Sequence, residues 1–211
     1  MKVSITLLGC FVVGVVLAFF SILPHSVLAF DFGTISNYLL YVLMFFVGVS
    51  IGVDESIVQI IKGLPKRALI GPFLTIVGTS VATIIVYYIM SVTGLLKGFD
   101  LSLKSTVTVN SALGYYSLSG ILLTEAWGAQ IGAIALLSNL FRELLTILFG
   151  PLITRYFGSY ALIASGGVTV TDTTMPIILK CCGNNAFALT MYSGIVINIL
   201  VPFILAFLVS I

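Results

Sequence analysis

The chain has 211 residues, 60% of them hydrophobic and 8% charged, with a mean hydropathy of +1.24. A soluble domain carries about 25% charged residues, so this composition excludes a soluble globular fold and predicts an all-α integral membrane protein. Nine Lys or Arg against seven Asp or Glu leave a net charge of +2, too little to imply nucleic acid.

About 20 apolar residues cross the hydrocarbon core as a helix. The first such run, 3–23, follows Lys2 and is longer than the roughly 7–15 residues of a secretory signal core, so it reads as a retained transmembrane helix. Cys10 lies within it as a small hydrophobe. The second span is 36–53. The polar connection from Asp54 to Arg67 carries Lys62, Lys66 and Arg67, and the positive-inside rule places it in the cytoplasm. The third span is 68–92.

Two later segments are apolar but interrupted. The segment 101–123 contains Asn110 and the run Gly114-Tyr115-Tyr116-Ser117-Leu118-Ser119-Gly120. The segment 160–180 contains Gly166-Gly167 and Thr169-Val170-Thr171-Asp172-Thr173-Thr174-Met175-Pro176. Non-helical backbone at membrane depth persists only where protein buries it or where it lines a wet cavity. Broken helices of this kind build the substrate sites of many secondary transporters. The rival reading is a kinked helix packed through small residues.

Between them runs the span 127–150, and 186–210 closes the chain. The fold expected is a single membrane transporter domain over 1–211. It has about six transmembrane helices plus one re-entrant or discontinuous segment at 101–123, or seven spans if that segment crosses. The two broken helices form a mid-membrane site. Charge leaves the second half unoriented. With either path for 101–123, Lys2, Lys62, Lys66, Arg67 and one of Arg155 or Lys180 face inward.

The span 127–150 carries Asn139, Arg142 and Glu143 where lipid should be. Ionisable groups at that depth cost several kcal/mol unless paired or hydrated, and mark substrate or ion paths. Asn139, Glu143, Thr146 and Gly150 follow a +4, +3, +4 spacing and form one small, polar stripe that should face inward. Arg142 diverges from Glu143 by roughly 100° around the helix, so each charge needs a partner elsewhere. Asp172 is the expected partner of Arg142. A carboxyl in such a site can exchange a proton for a cation, as proton-coupled transport requires.

The motifs are specific. Gly114 through Glu125 resembles the GWYSLSGILLTE signature of the LysO lysine-exporter family. Asn139 with Arg142-Glu143-Leu144 resembles its N-x-x-R-E-L helix, and Gly166-Gly167 through Pro176 resembles its G-A-T-S-M-D-x-T-L-P loop. Phe46-Val47-Gly48-Val49 resembles its F-x-V-G-I. The likeness runs from about residue 36 to the C-terminus. Tyr115 replaces the usual Trp, and Val168 to Thr171 departs from the usual approach to the Asp.

The resemblance implies export of L-lysine, and of analogues such as thialysine, across the bacterial inner membrane. The driving force is a proton or Na⁺ gradient, with no other cofactor and no metal, and Glu143 is the coupling carboxylate. It also implies that full-length members carry further N-terminal spans. A small membrane subunit or a second copy is therefore an expected partner, beside membrane lipid.

For the substrate, Arg142 or a half-helix N-terminus can hold the carboxylate. Glu143 or Asp172 can hold an ammonium. Tyr115, Tyr116, Ser117, Ser119, Asn110 and Thr173 can bond the rest. Two alternatives stand beside lysine export. One is an Na⁺/H⁺ or other cationic-amine antiporter; the other is a non-transporting subunit of a membrane complex. No enzyme is expected, since the lone His25 lies in a connecting loop without a metal or Ser–His motif.

Overall fold

The computed structural model describes residues 68–95 and 101–211 continuously, and before residue 68 only scattered positions. The spans expected over 3–23 and 36–53, and the connection 54–67, thus lie largely outside the described residues.

The described chain is all-helical. A 3₁₀ turn, Ala68–Ile70, leads into α1, Gly71–Thr93. Two short helices follow, α2 (Leu103–Ser111) and α3 (Tyr116–Trp127). The long helix α4 runs Ala129–Phe157. Next come α5 (Ser159–Gly166), a 3₁₀ stretch Gly167–Thr171 and α6 (Met175–Cys182). A 3₁₀ turn, Asn184–Ala186, opens α7, Phe187–Ser210.

Three helical stretches are long and apolar enough to cross a membrane: Ala68–Thr93, Ala129–Phe157 and Asn184–Ser210. The shortest, at 26 residues, is about 39 Å long at 1.5 Å per residue, against a core of about 30 Å. Their outer faces stay apolar and uncovered, as lipid-facing surface must; Leu74, Leu148 and Phe203 are 65%, 70% and 71% exposed.

The ends of these three helices sort into two groups. The Tyr192 hydroxyl donates to Leu69 O (3.0 Å), joining the starts of α7 and α1. Thr154 Oγ1 lies 3.9 Å from Cys182 Sγ, bringing the ends of α4 and α6 together. At the opposite end, Tyr87 donates to Leu101 O near the end of α1, and Val209, Leu101 and Trp127 pack against one buried cluster of Val109, Leu123, Ile131 and Ala135. So α1 and α7 run parallel and α4 runs against them.

The two interrupted segments are hairpins. Lys104, near the start of α2, lies 5.2 Å over the Trp127 ring at the end of α3. The chain therefore enters along α2, turns at Ala112–Tyr115 and leaves along α3 by the end it entered. α3 then packs antiparallel on α4. A Cβ at Gly132 would lie 1.7 Å from Thr124 Oγ1 and 2.8 Å from Gly120 O, so only glycine admits this approach.

The second segment, read in sequence as a span over 160–180, folds the same way from the other end. Leu162 of α5 and Ile177 of α6 both flank Gly150 of α4, and Ile178 is buried with Leu162. Its apolar length matches a span, but the 3₁₀ stretch and Asp172–Thr174 turn it back. The order helix then hairpin thus occurs twice, as α1 with α2–α3 and as α4 with α5–α6, in opposite directions.

The tips meet beside the middle of α4. Val168 N–H donates to Leu113 O (2.9 Å). A Cβ on Gly167 would lie 2.1 Å from that same carbonyl oxygen. Leu113 holds φ +51° and Gly114 φ +94°. A left-handed leucine costs roughly 1–2 kcal/mol; here it is fully buried, and its carbonyl makes the tip-to-tip bond.

Candidate functional site

α4 supplies the middle of the site. Among its residues Ile131, Gly132, Ala135, Asn139, Leu140, Glu143, Thr146 and Gly150 are buried. The polar stripe read from the spacing faces inward, and Glu143 is 0% exposed at the centre of the helix.

Asn139 is committed to the first hairpin. Its Nδ2 donates to Val109 O (3.0 Å) and to Ala135 O (2.9 Å), and its Oδ1 accepts from Gly114 N–H (2.8 Å). The break between α2 and α3 leaves a carbonyl and an amide without helical partners, and one amide side chain serves both. Asn139 holds the first tip in place.

Arg142 does the same for the second hairpin. Its Nε donates to Ser165 O and its Nη2 to Ala164 O, both at 2.9 Å. The last four carbonyls of a helix lack intrahelical donors, and here each finds one. Ile163 O takes the Gly167 N–H, Arg142 takes Ala164 and Ser165, and Gly166 O takes the Thr169 hydroxyl (3.0 Å). The expected Arg142–Asp172 pair is absent among the described residues. The guanidinium is spent on the C-terminus of α5, whose partial negative charge favours a cation. Asp172 instead accepts the Thr173 N–H through Oδ1.

The expected residues fall around two cavities. Arg142, Asn110 and Ser138 line one of about 450 Å³, along with Phe141, Phe149 and Ser165. Tyr115, Tyr116, Ser117 and Asp172 line another of about 210 Å³, with Gly114, Val168, Thr169 and Asn198. This second cavity lies at the junction of the two tips, and Asp172 is exposed at it. Ser119 lines neither: it is fully buried and bonds Tyr116 O. Thr173 sits beside Asp172, and its hydroxyl oxygen finds no hydrogen-bond partner among the described residues.

Asn198 lies outside the motifs that mark the site in the sequence. It lies in the middle of α7, and its buried Oδ1 has no hydrogen-bond partner among the described residues. The signal was a lone amide inside the apolar run Val196-Ile197-Asn198-Ile199.

A family model described as lysine exporter LysO matches residues 8–209. The lysine exporter LysO of Escherichia coli is 31% identical over 206 residues, which is 97% of this chain and 63% of that protein. A putative lysine exporter of Haemophilus influenzae is 31% identical over 206 residues, 97% of each chain. The chain therefore spans less than two thirds of the first relative and nearly all of the second. No solved structure matches it.

Proposed function

Since the chain belongs to the lysine exporter LysO family, we propose that it exports L-lysine, and analogues such as thialysine, across the bacterial inner membrane in exchange for protons. The observation that carries the proposal is the meeting of two hairpin tips beside a fully buried Glu143 at the middle of a membrane-spanning helix. Broken helices meeting at mid-depth give a substrate polar backbone ends and side chains where lipid offers none. A buried carboxyl on the same helix gives the proton a place to exchange.

Energetics require the coupling. Moving one positive charge outward against an inside-negative 100 mV costs about 2.3 kcal/mol. An uncoupled lysine channel would run inward. A proton entering per lysine offsets the cost, and Glu143 is its carrier. The partner is the one implied by the resemblance, a small membrane subunit or a second copy.

The hairpins also support an orientation for the chain. Arg155 and Lys180 share the end of the bundle at which α1 starts, and Lys62, Lys66 and Arg67 precede α1. Lys104 lies at the other end. By the positive-inside rule, the first end is cytoplasmic and the C-terminus is outside. Cysteines replacing Lys180 and Lys104 should label with an impermeant thiol reagent from the cytoplasmic and outer faces respectively. Labelling of both from one face contradicts this orientation.

Glu143→Gln keeps the shape and removes the exchangeable proton. Cells relying on this variant should lose thialysine resistance while the protein still inserts in the membrane fraction. Full resistance with Gln at this position overturns the coupling role.

A further inference from the structure

The cavity at the hairpin junction is lined by groups of both polarities. α3 begins at it: the helix has no side-chain cap, and Gly114, Tyr115, Tyr116 and Ser117 line the space. A helix N-terminus carries partial positive charge and offers backbone N–H groups to anions. Asp172 and Asn198 line the same cavity.

Position 198 is rich in acceptors. The amide oxygen is buried without a partner among the described residues. Four residues on, Pro202 interrupts the ladder of α7. Proline has no N–H, so the Asn198 carbonyl has no i+4 helical donor either. A buried acceptor without a partner is costly, and a bound donor relieves that cost at the Asn198 amide oxygen. The Arg142 guanidinium lines the other cavity and already holds two carbonyls, which leaves the α3 N-terminus as the carboxylate partner here.

Resting on the lysine-export reading, we infer that this cavity is the subsite for the α-amino-acid end of the substrate. Asn198 and Asp172 accept the α-ammonium, and the N-terminus of α3 receives the α-carboxylate. The side chain of the substrate then extends away from the junction. Asn198 is the residue by which the protein requires an α-amino group.

The test is equilibrium binding to the full chain in lipid nanodiscs, in sodium-free buffer. The ligands are lysine, 6-aminohexanoate (lysine without its α-amino group) and a panel of other α-amino acids. Asn198→Leu should weaken lysine about tenfold or more, as loss of a charge-assisted hydrogen bond does, and leave 6-aminohexanoate unchanged. Asn198→Asp retains the acceptor and should retain lysine binding, which separates recognition from folding. Equal losses for both ligands in Asn198→Leu, or lysine binding equal to wild type, overturn the subsite. So does wild-type protein that binds no α-amino acid. If wild type prefers another α-amino acid and Asn198→Leu loses it selectively, the subsite stands and the lysine reading falls. If wild type binds lysine without this selective loss, the subsite falls and the lysine reading stands.

Discussion

The two hairpins do the same structural job with different chemistry. Each enters the bundle from its own end, breaks beside the middle of α4 and is held there by one polar side chain of that helix. The first is held by Asn139, a neutral amide that both donates and accepts. The second is held by Arg142, which only donates. The difference follows from what each break exposes. The first presents a carbonyl at Val109 and an N–H at Gly114; the second presents the carbonyls ending α5. Polar residues at membrane depth here match the orphaned backbone groups opposite them, before any substrate is considered.

The contact between the tips is the strongest place to break this arrangement. Gly167→Ala puts a Cβ against the Leu113 carbonyl at a backbone φ of +62°. It should cost upwards of about 3 kcal/mol, seen as collapse of folded, membrane-inserted protein. Wild-type thermal stability in that variant means the tips are not in contact.

The next two substitutions separate the hairpins. Asn139→Leu leaves a buried N–H and a buried carbonyl unpaired and should cost about 2–4 kcal/mol. Arg142→Met also frees two carbonyls but removes a half-buried charge whose desolvation is itself costly. Its net effect should be smaller, about 1 kcal/mol. Thermal unfolding in one detergent compares them directly; a larger loss for Arg142→Met reverses the assignment of which anchor matters more.

Much of this was legible in the sequence because it depends on period and composition. The 3.6-residue repeat put Asn139, Glu143, Thr146 and Gly150 on one face, and that face is buried. Gly114 and the Gly166–Pro176 run marked both breaks, since glycine, threonine and proline weaken a helix there. What the sequence hid depends on backbone and on tertiary contact. The 160–180 segment is as long and apolar as a span; that its break at Gly167–Thr174 returns the chain, rather than kinking it, shows only in its packing on α4 and on Leu113. A charge pattern points Arg142 to a carboxylate, whereas its partners are main-chain carbonyls, which no side-chain pattern displays. Asn198 was masked by the apolar residues around it, and its meaning appears only where α7 meets the two tips.

Of the polar residues in the α4 motif, Asn139 and Arg142 are thus tied to backbone, and Glu143 is the buried acid that the transport proposal turns on. The direct test is radiolabelled lysine flux in proteoliposomes under an imposed pH gradient, comparing wild type with Glu143→Gln. Lysine should move against the direction of the proton gradient in wild type and not move in the variant. Equal flux in both, or wild-type flux indifferent to the gradient, would contradict proton-coupled export through Glu143.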